Sequence, residues 1–317
     1  MSSKENRYYV LAYYLFRDIK DPQEEVSKQK MFFQEREITS RIYISHQGIN
    51  AQMSGLKEHI MEYIDWMRKD ERFCEIDFKI HSHYEQAFPR ATVKFRKQLV
   101  AMDHNADPHK GGEHVKPSQW KQMLQEQSED VLLLDVRNDY EWKIGHFEGA
   151  VKPQLDMFRQ FPEYVKQLKE QYDVNKTRVM MYCTGGIRCE LYSALMKEEG
   201  FEKVYQLDGG VIRYGLEEGS DLWQGKLFVF DDRLAVPLDQ EENVAPVSTC
   251  HMCEAPCDIY YNCANMDCNT LFISCPSCAE KLQGCCSETC TCASRIRPYE
   301  KEQRPKPFRR KHLCKTS

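Results

Sequence analysis

Cys183-Thr184-Gly185-Gly186-Ile187-Arg188 is the stretch of this 317-residue chain best equipped for chemistry. It follows a short apolar run, Val179-Met180-Met181-Tyr182, and precedes a helix-like stretch from Arg188 to Glu199. Two glycines inside a strand-to-helix turn let the backbone take positive φ without a Cβ clash, so successive N–H groups converge on one centre. The helix adds the positive end of its dipole and Arg188 a full charge. A thiolate at Cys183, or a persulfide sulfur built on it, is stabilised in such surroundings, and the thiol pKa falls. The alternative is an inert cysteine closing a core strand; the glycine pair and the arginine weigh against it. Cys189 is either a thiol that resolves a persulfide or disulfide on Cys183, or a helix-packing cysteine.

The second reactive region lies near the carboxyl end. Eleven cysteines fall within the 43 residues from Cys250 to Cys292. Two C-x2-C pairs, Cys250/Cys253 and Cys275/Cys278, form the simplest four-thiolate set for zinc, because each pair can place two sulfurs on one tetrahedral ion. Cys263, Cys268, Cys285, Cys286 and Cys290 supply ligands for a second site whose membership spacing alone leaves open. Most such sites are structural and hold a segment with little core of its own. An iron–sulfur or redox role is the sharper alternative, and metal-free thiols or disulfides stay open.

Fifteen cysteines without a signal-peptide-like N-terminus point to a reducing cytosol rather than a disulfide frame. The apolar stretch Tyr8 to Phe16 is too short to cross a bilayer, so no membrane association is expected. Hydrophobic content of 41% and charged content of 29% fit a soluble globular protein. Net charge is −5, but the residues from Arg295 to Ser317 carry nine Lys/Arg against Glu300 and Glu302, which makes the tail +7 and the remainder −12. Such asymmetry suits an anionic partner, with a solvated tail as the equal alternative.

The elements that must position these residues follow from periodicity. Strands are expected at Tyr8 to Phe16, Arg41 to Ser45, Ile76 to Ile80 and Ala91 to Val100, and helices from Pro22 to about Glu37 and from Leu56 to Lys69. His46-Gln47-Gly48-Ile49-Asn50 is read as a turn into Ala51-Gln52-Met53. The order β-α-β-β-α-β suits a ferredoxin-like (acylphosphatase-like) α+β domain over 1–101. Residues 102–117 read as a linker, with Ser118 as N-cap of a helix to Gln127. Val131-Leu132-Leu133-Leu134, continuous in its hydrophobicity, fits a parallel strand buried on both faces. With a helix at Phe158 to Tyr172, the strand Val179 to Tyr182 and the strand Val204 to Leu207, residues 118–224 form a parallel α/β domain. Cys183 then lies at the carboxyl end of a central strand, where open α/β sheets bind ligands. A cysteine-rich region (225–294) and a basic tail (295–317) complete an α/β and α+β multidomain chain. Asp135 and Arg137 are read as a structural pair, and His146 as a turn or core histidine rather than a general base.

Asp135-x-Arg137, Glu141, Gly145-His146-Phe147, Gly149-Ala150, Cys183 to Arg188 and Leu207-x-Gly209-Gly210 together resemble a rhodanese domain, whose loop cysteine carries sulfur as a persulfide. Cysteine phosphatases use a loop one residue longer, wide enough for a tetrahedral phosphate, so phosphatase chemistry is not expected. Phe228-Val229-Phe230-Asp231-Asp232-Arg233, Asn262-Cys263-Ala264-Asn265, Leu271-Phe272-Ile273, Gly284-Cys285-Cys286-Ser287, Gly48 to Gln52 and Cys189-Glu190 extend the resemblance over about residues 7–292. They are similar to one rhodanese-containing group, the TrhO (YceA-like, UPF0176) family of tRNA uridine hydroxylases. A departure stands at Asn269, where the family pattern has a histidine, so no ligand role is carried to it.

The resemblance implies hydroxylation of the wobble uridine of tRNA to 5-hydroxyuridine, with molecular oxygen as co-substrate, tRNA as partner and Cys183 as the reactive group. Arg188 and the amides of Thr184, Gly185, Gly186 and Ile187 would stabilise the developing anion. Arg295, Arg297, Arg304, Lys306, Arg309, Arg310 and Lys311 would meet tRNA phosphates. The chain carries no flavin or nicotinamide fingerprint and no His-x-Asp/Glu iron motif. Two rival readings are a sulfurtransferase carrying a persulfide on Cys183 and a non-catalytic tRNA-binding protein.

Overall fold

The computed structural model describes residues 6–102, 104–126, 130–155, 160–239 and 244–301. Arg304, Lys306, Arg309, Arg310 and Lys311 of the basic tail lie outside them. The chain divides into two compact units: the part up to Asn138 with Gly149–Leu222, and Asp139–Glu148 with the residues from Trp223 onward.

The first unit opens with β1 (Tyr8–Phe16), α1 (Pro22–Phe33), β2 (Ile38–Ser45), β3 (Gly48–Leu56), α2 (Lys57–Arg68), β4 (Lys79–His83) and β5 (Val93–Phe95). The sheet order is β4-β1-β3-β2-β5, with every pairing antiparallel except β2 with β5. This is the expected ferredoxin-like layout with one strand added. Its cause is period-two patterning: Leu11 and Tyr13, Ile42 and Ile44, and Ile49, Ala51 and Met53 face Val26, Phe33, Ile60, Tyr63, Ile64 and Met67 of the two helices. Asp21 caps α1 by accepting from the Glu24 N–H at 2.9 Å.

Several boundaries differ from the sequence reading. Ser45 pairs with Gly48, so the turn is only His46-Gln47, and Gly48 and Asn50 lie inside β3. The alternation of Ile49, Ala51 and Met53 serves the core right up to the hairpin, which leaves no room for a longer loop. Gly48 has φ +141°, and a Cβ there would collide with the Leu15 carbonyl. β2 starts at Ile38, which is buried, rather than at Arg41. β4 begins at Lys79, and only Val93–Phe95 of the 91–100 stretch pairs.

The unit continues through β6 (Glu113–Val115), α3 (Pro117–Gln125) and β7 (Val131–Asp135). Next come α4 (Asp139–Trp142) and β8 (Gly145–Phe147), which belong to the second unit, and then α5 (Phe161–Gln171), β9 (Arg178–Tyr182), α6 (Ile187–Glu198), β10 (Lys203–Leu207) and α7 (Gly210–Glu218). The four strands are parallel in the order β6-β10-β9-β7. β6 comes from the stretch read as a linker. Ser118 is not the cap of α3: Pro117 starts the helix with its preset φ, and Lys116 stands at the cap without a side-chain bond. Phe158, expected to open the next helix, lies outside the described residues. Leu132, Leu134, Val179 and Met181 are buried between helices, as continuous hydrophobicity demands.

In the second unit β8 pairs with β11 (Trp223–Gly225), β12 (Leu227–Phe228) with β13 (Ala235–Val236), and β14 (Tyr260–Asn262) with β15 (Leu271–Ile273). The short helices α8 (Pro276–Lys281) and α9 (Glu288–Thr291) follow. One core is small: Ile144, Phe228, Leu234, Tyr260 and Ile273 with Cys250 and Cys257. His146 sits in β8 rather than in a turn, stacked on Trp142 at 4.0 Å with its Nδ1 3.0 Å from the Trp142 carbonyl oxygen.

Candidate active site and cysteine quartets

Cys183 follows the last residue of β9, and α6 begins four residues later. Gly186, at φ +103°, caps α6 and donates its N–H to Cys183 Sγ at 3.1 Å. Gly210, at φ +66°, lies against the loop: a Cβ there would stand 2.6 Å from the Cys183 oxygen and 2.7 Å from the Gly186 nitrogen. The N–H groups of Val211 and Ile212 donate to the carbonyls of Cys183 and Thr184, both at 3.0 Å. The start of α7 thus buckles the loop from behind. On the neighbouring strand end, Arg137 forks onto Asp135 (Nε–Oδ1 2.8 Å, Nη2–Oδ2 2.6 Å), and the Tyr182 hydroxyl donates to Asp135 Oδ2 at 2.8 Å. That buried pair anchors the strand end, as its D-x-R spacing suggested.

The Cys183 side chain is fully buried. Burial by itself pushes its thiol pKa up. A hydrogen bond from Cys189, the Arg188 charge and the N–H groups of Arg188 and Cys189 outweigh it and bring the thiol down to about 5. Burial, then the hydrogen bond to Cys183 and its charge, drives Cys189 well above the ordinary range. The two sulfurs are therefore differentiated, a thiolate at Cys183 and a thiol donor at Cys189. Cys189 also packs in the core with Leu191 and Leu195. Arg188 Nη2 lies 3.3 Å from Thr184 Oγ1, tying its guanidinium to the loop.

Within the same unit, residues far from the loop in the chain reach Glu190, a contact the sequence did not signal. The Tyr14 hydroxyl from β1 donates to Glu190 Oε1 at 2.7 Å. It also stands over Gly186, where a Cβ would lie 2.8 Å from it. Glu190 Oε1 is 3.0 Å from His114 Nε2, and its Oε2 accepts from Gln206 Nε2 at 3.2 Å. Burial, followed by the Glu190 charge, holds the Tyr14 phenol well above its usual pKa. Phe16 packs into the core that contains Cys183. Lys79 is buried, 5.4 Å from the Tyr14 ring and 3.3 Å from Asp77, while Arg213 pairs with both Asp77 and Asp208.

The second unit gathers its cysteines into two quartets. The sulfurs of Cys250, Cys253, Cys275 and Cys278 all lie within 4.8 Å of one another, as do those of Cys263, Cys268, Cys286 and Cys290. Cys253 and Cys275 are 3.7 Å apart, and Cys286 is 3.8 Å from both Cys268 and Cys290. A tetrahedral zinc with bonds near 2.3 Å separates its sulfurs by roughly 3.8 Å, whereas a disulfide needs about 2.05 Å. The donor set therefore fits zinc in both places. Backbone N–H groups of Cys278 and Cys286 point at the sulfurs of Cys275 and Cys263, as expected around anionic sulfur.

Cys285, expected among the second set, lies outside it. Its side chain is buried with Leu282 and Phe272, and the adjacent Cys286 faces the quartet instead. Arg297, expected on RNA, turns inward and donates to the carbonyls of Asn262 and Cys263. Arg295 is exposed and pairs with Asp267 at 2.9 Å. No helix among the described residues is long and apolar enough to cross a membrane.

Three family models match consecutive parts of the chain: a UPF0176 acylphosphatase-like domain over residues 8–99, a rhodanese-like domain over 116–215 and a rhodanase C-terminal region over 224–291. The chain is 54% identical over 311 residues to a tRNA uridine(34) hydroxylase of Protochlamydia amoebophila strain UWE25, covering 98% of this chain and 96% of the relative. Proteins of the same name from Chlamydia trachomatis serovar D (54% over 313 residues) and Chlamydia felis (53% over 311 residues) each cover 98% of this chain, and 95% of each is matched. Three domains in register and end-to-end identity of this size leave one conclusion: the chain belongs to the tRNA uridine(34) hydroxylase family.

Proposed function

We propose that this protein hydroxylates the wobble uridine of tRNA at C5 in the cytosol, with dioxygen as co-substrate and Cys183 as the reactive thiol. The observation that carries the reading is the buried Cys183 thiolate, held by the Gly186 N–H and Arg188, in a chain that matches such hydroxylases over nearly its whole length. In this reading the thiolate adds to C6 of the uracil ring and places an electron pair at C5, which attacks dioxygen. The C5 hydroperoxide passes its outer oxygen to the Cys189 sulfur, leaving a hydroxyl at C5. Loss of the C5 proton expels Cys183 from C6, and Cys183 displaces hydroxide from the Cys189 sulfenic acid. The balance is one C5–H converted to C5–OH, one water, and one Cys183–Cys189 disulfide, which a small thiol then reduces.

The two cysteine quartets would each hold a zinc ion closed by four thiolates, with no open position for chemistry. The metal would supply folding free energy to a unit whose core is small. Arg295 with the tail residues Arg304, Lys306, Arg309, Arg310 and Lys311 would contact tRNA phosphates, with the steep salt dependence this entails.

The test is nucleoside mass spectrometry of tRNA from a strain lacking the gene, complemented with wild type or Cys183→Ala. 5-Hydroxyuridine and nucleosides derived from it should return only with wild type. Full restoration by Cys183→Ala would end the catalytic reading in favour of a tRNA-binding role. Thiosulfate-dependent cyanide turnover by wild type, with tRNA nucleosides unaffected by the deletion, would replace it by sulfur transfer.

A further inference from the structure

The ferredoxin-like sheet has one face on its helices and one face without them. Strand alternation puts Ala12, Tyr14 and Phe16 of β1, Asn50 and Gln52 of β3, Arg41 and Tyr43 of β2, and Lys94 of β5 on that second face. Register makes a continuous row of Tyr14, Asn50, Tyr43 and Lys94, each opposite the next. At about 4.8 Å per strand the row runs roughly 14 Å away from Tyr14. Its first member touches Gly186 of the thiolate loop.

Three observations on this face point to a ligand. Its β1, β2, β3 and β5 positions hold no carboxylate, and it presents Arg41, Lys94 and, just beyond β5, Arg96, whose guanidinium lies 5.0 Å from the Tyr43 ring. The half-buried amides of Asn50 and Gln52, in the middle of the sheet, make no side-chain hydrogen bond among the described residues, and neither do Arg41 and Lys94. Reached by solvent, these groups are available to a polar ligand. One end of this face is covered, where Val10 packs with Ala87 and Phe88. The other end keeps aromatics, amides and cations together, which is what unstacked nucleotides need: a surface to stack on, donors and acceptors for base edges, and charge for phosphates.

We propose that this row is the cradle for the single-stranded nucleotides that flank the target uridine. Tyr43 stacks a neighbouring base, Asn50 and Gln52 read base edges, and Arg41, Lys94 and Arg96 hold the backbone, so that the strand runs along the sheet and delivers the uridine at Tyr14 to the Cys183 loop. The row is long enough for two or three nucleotides. This inference rests on the hydroxylase reading for the identity of the RNA.

The test uses the full-length protein and an anticodon stem-loop RNA carrying 4-thiouridine beside the wobble position. Photo-crosslinks should map to peptides of β2 and β3, and crosslinks confined to the cysteine-rich unit or the tail would overturn the proposal. Tyr43→Ala should raise the KM for tRNA roughly tenfold, or about 1.4 kcal/mol, while the rate of Cys183 alkylation stays at the wild-type value. Arg41→Ala combined with Lys94→Ala should flatten the slope of log binding constant against log salt by about 1.4. An unchanged KM and slope in an active enzyme would sink the cradle alone. A wild-type protein that crosslinks as described yet produces no 5-hydroxyuridine would sink the hydroxylase reading and leave the RNA surface standing.

Discussion

The Tyr14 hydroxyl and Glu190 Oε1, 176 positions apart in the chain, meet at 2.7 Å. Glu190 follows Cys189 directly, and Tyr14 lies over Gly186, so one hydrogen bond ties the first strand to the turn that stabilises the thiolate. Glu190 keeps two further partners, His114 at the same Oε1 and Gln206 at Oε2.

Tyr14→Phe keeps the ring over Gly186 and removes only the donor. Loss of a hydrogen bond to a part-buried carboxylate should cost about 1.5–2 kcal/mol. Urea unfolding is the measurement, with a lower midpoint at unchanged slope expected. A midpoint equal to wild type would mean that the contact contributes nothing to coupling strand and loop.

The pH dependence of the thiol follows from its lowered pKa. With a folded value of about 5 and an unfolded value near 8.5, Cys183 should be thiolate throughout the neutral range. Its alkylation rate by iodoacetamide should rise through pH 5 and level off above about 6. The group's contribution to stability is present above the unfolded pKa and is lost as pH falls toward 5, so stability should climb with pH across that window. Arg188→Met removes one of the causes and should move the alkylation midpoint upward; an unmoved midpoint would remove the arginine from the account.

Gly210 is a backbone requirement. Alanine there must take φ +66° and press its Cβ on the Cys183 carbonyl and the Gly186 nitrogen, which are main-chain atoms and cannot rotate away. Strain of this type costs on the order of 1–3 kcal/mol. Gly210→Ala should lower the unfolding midpoint and also raise the Cys183 alkylation midpoint, because it displaces the donor at Gly186. Gly200→Ala, at φ +101° but with open space around the Cβ, separates backbone strain from collision: it should leave the thiol's pH profile as in wild type.

Metal analysis of the purified protein should find two zinc ions per chain, one for each quartet. Cys253→Ser and Cys268→Ser should each remove one, whereas Cys292→Ser, outside both quartets, should remove none. Strong chelators should unfold the second unit, read by loss of near-ultraviolet circular dichroism from its tyrosines and Trp223, since bound metal contributes directly to folding there. Full retention of that signal after complete metal removal would show that the small cores suffice.

Local patterning told a good deal about this protein. The Tyr-, Val- and Leu-rich run Tyr8–Phe16 marked a strand by residue type, and the element order around it marked the ferredoxin-like sheet. Continuous hydrophobicity in Val131–Leu134 marked a parallel strand buried on both faces. The glycine pair and arginine after Cys183 announced an anion-stabilising turn because its amides come from adjacent residues. The first C-x2-C pairs named one quartet for the same reason of proximity. Element ends were less legible: the turn at His46-Gln47 and the cap of α3 depend on where pairing stops, which the partner strand or a proline decides.

Contacts between distant residues were beyond the sequence. Nothing near Tyr14 signals that its phenol reaches Glu190, or that Gly210 braces the Cys183 carbonyl. Which of Cys285 and Cys286 faces the second quartet depended on side-chain direction after a turn, and Arg297 looked like a tail cation until its guanidinium met two carbonyls. The amino-acid sequence determined the chemistry available, a thiol in a glycine loop and thiolates in pairs, because reactive groups and backbone freedom are properties of neighbouring residues. Tertiary structure decided which groups share a charge or a hydrogen bond, because those interactions fall off within a few ångströms and only the folded chain sets such distances.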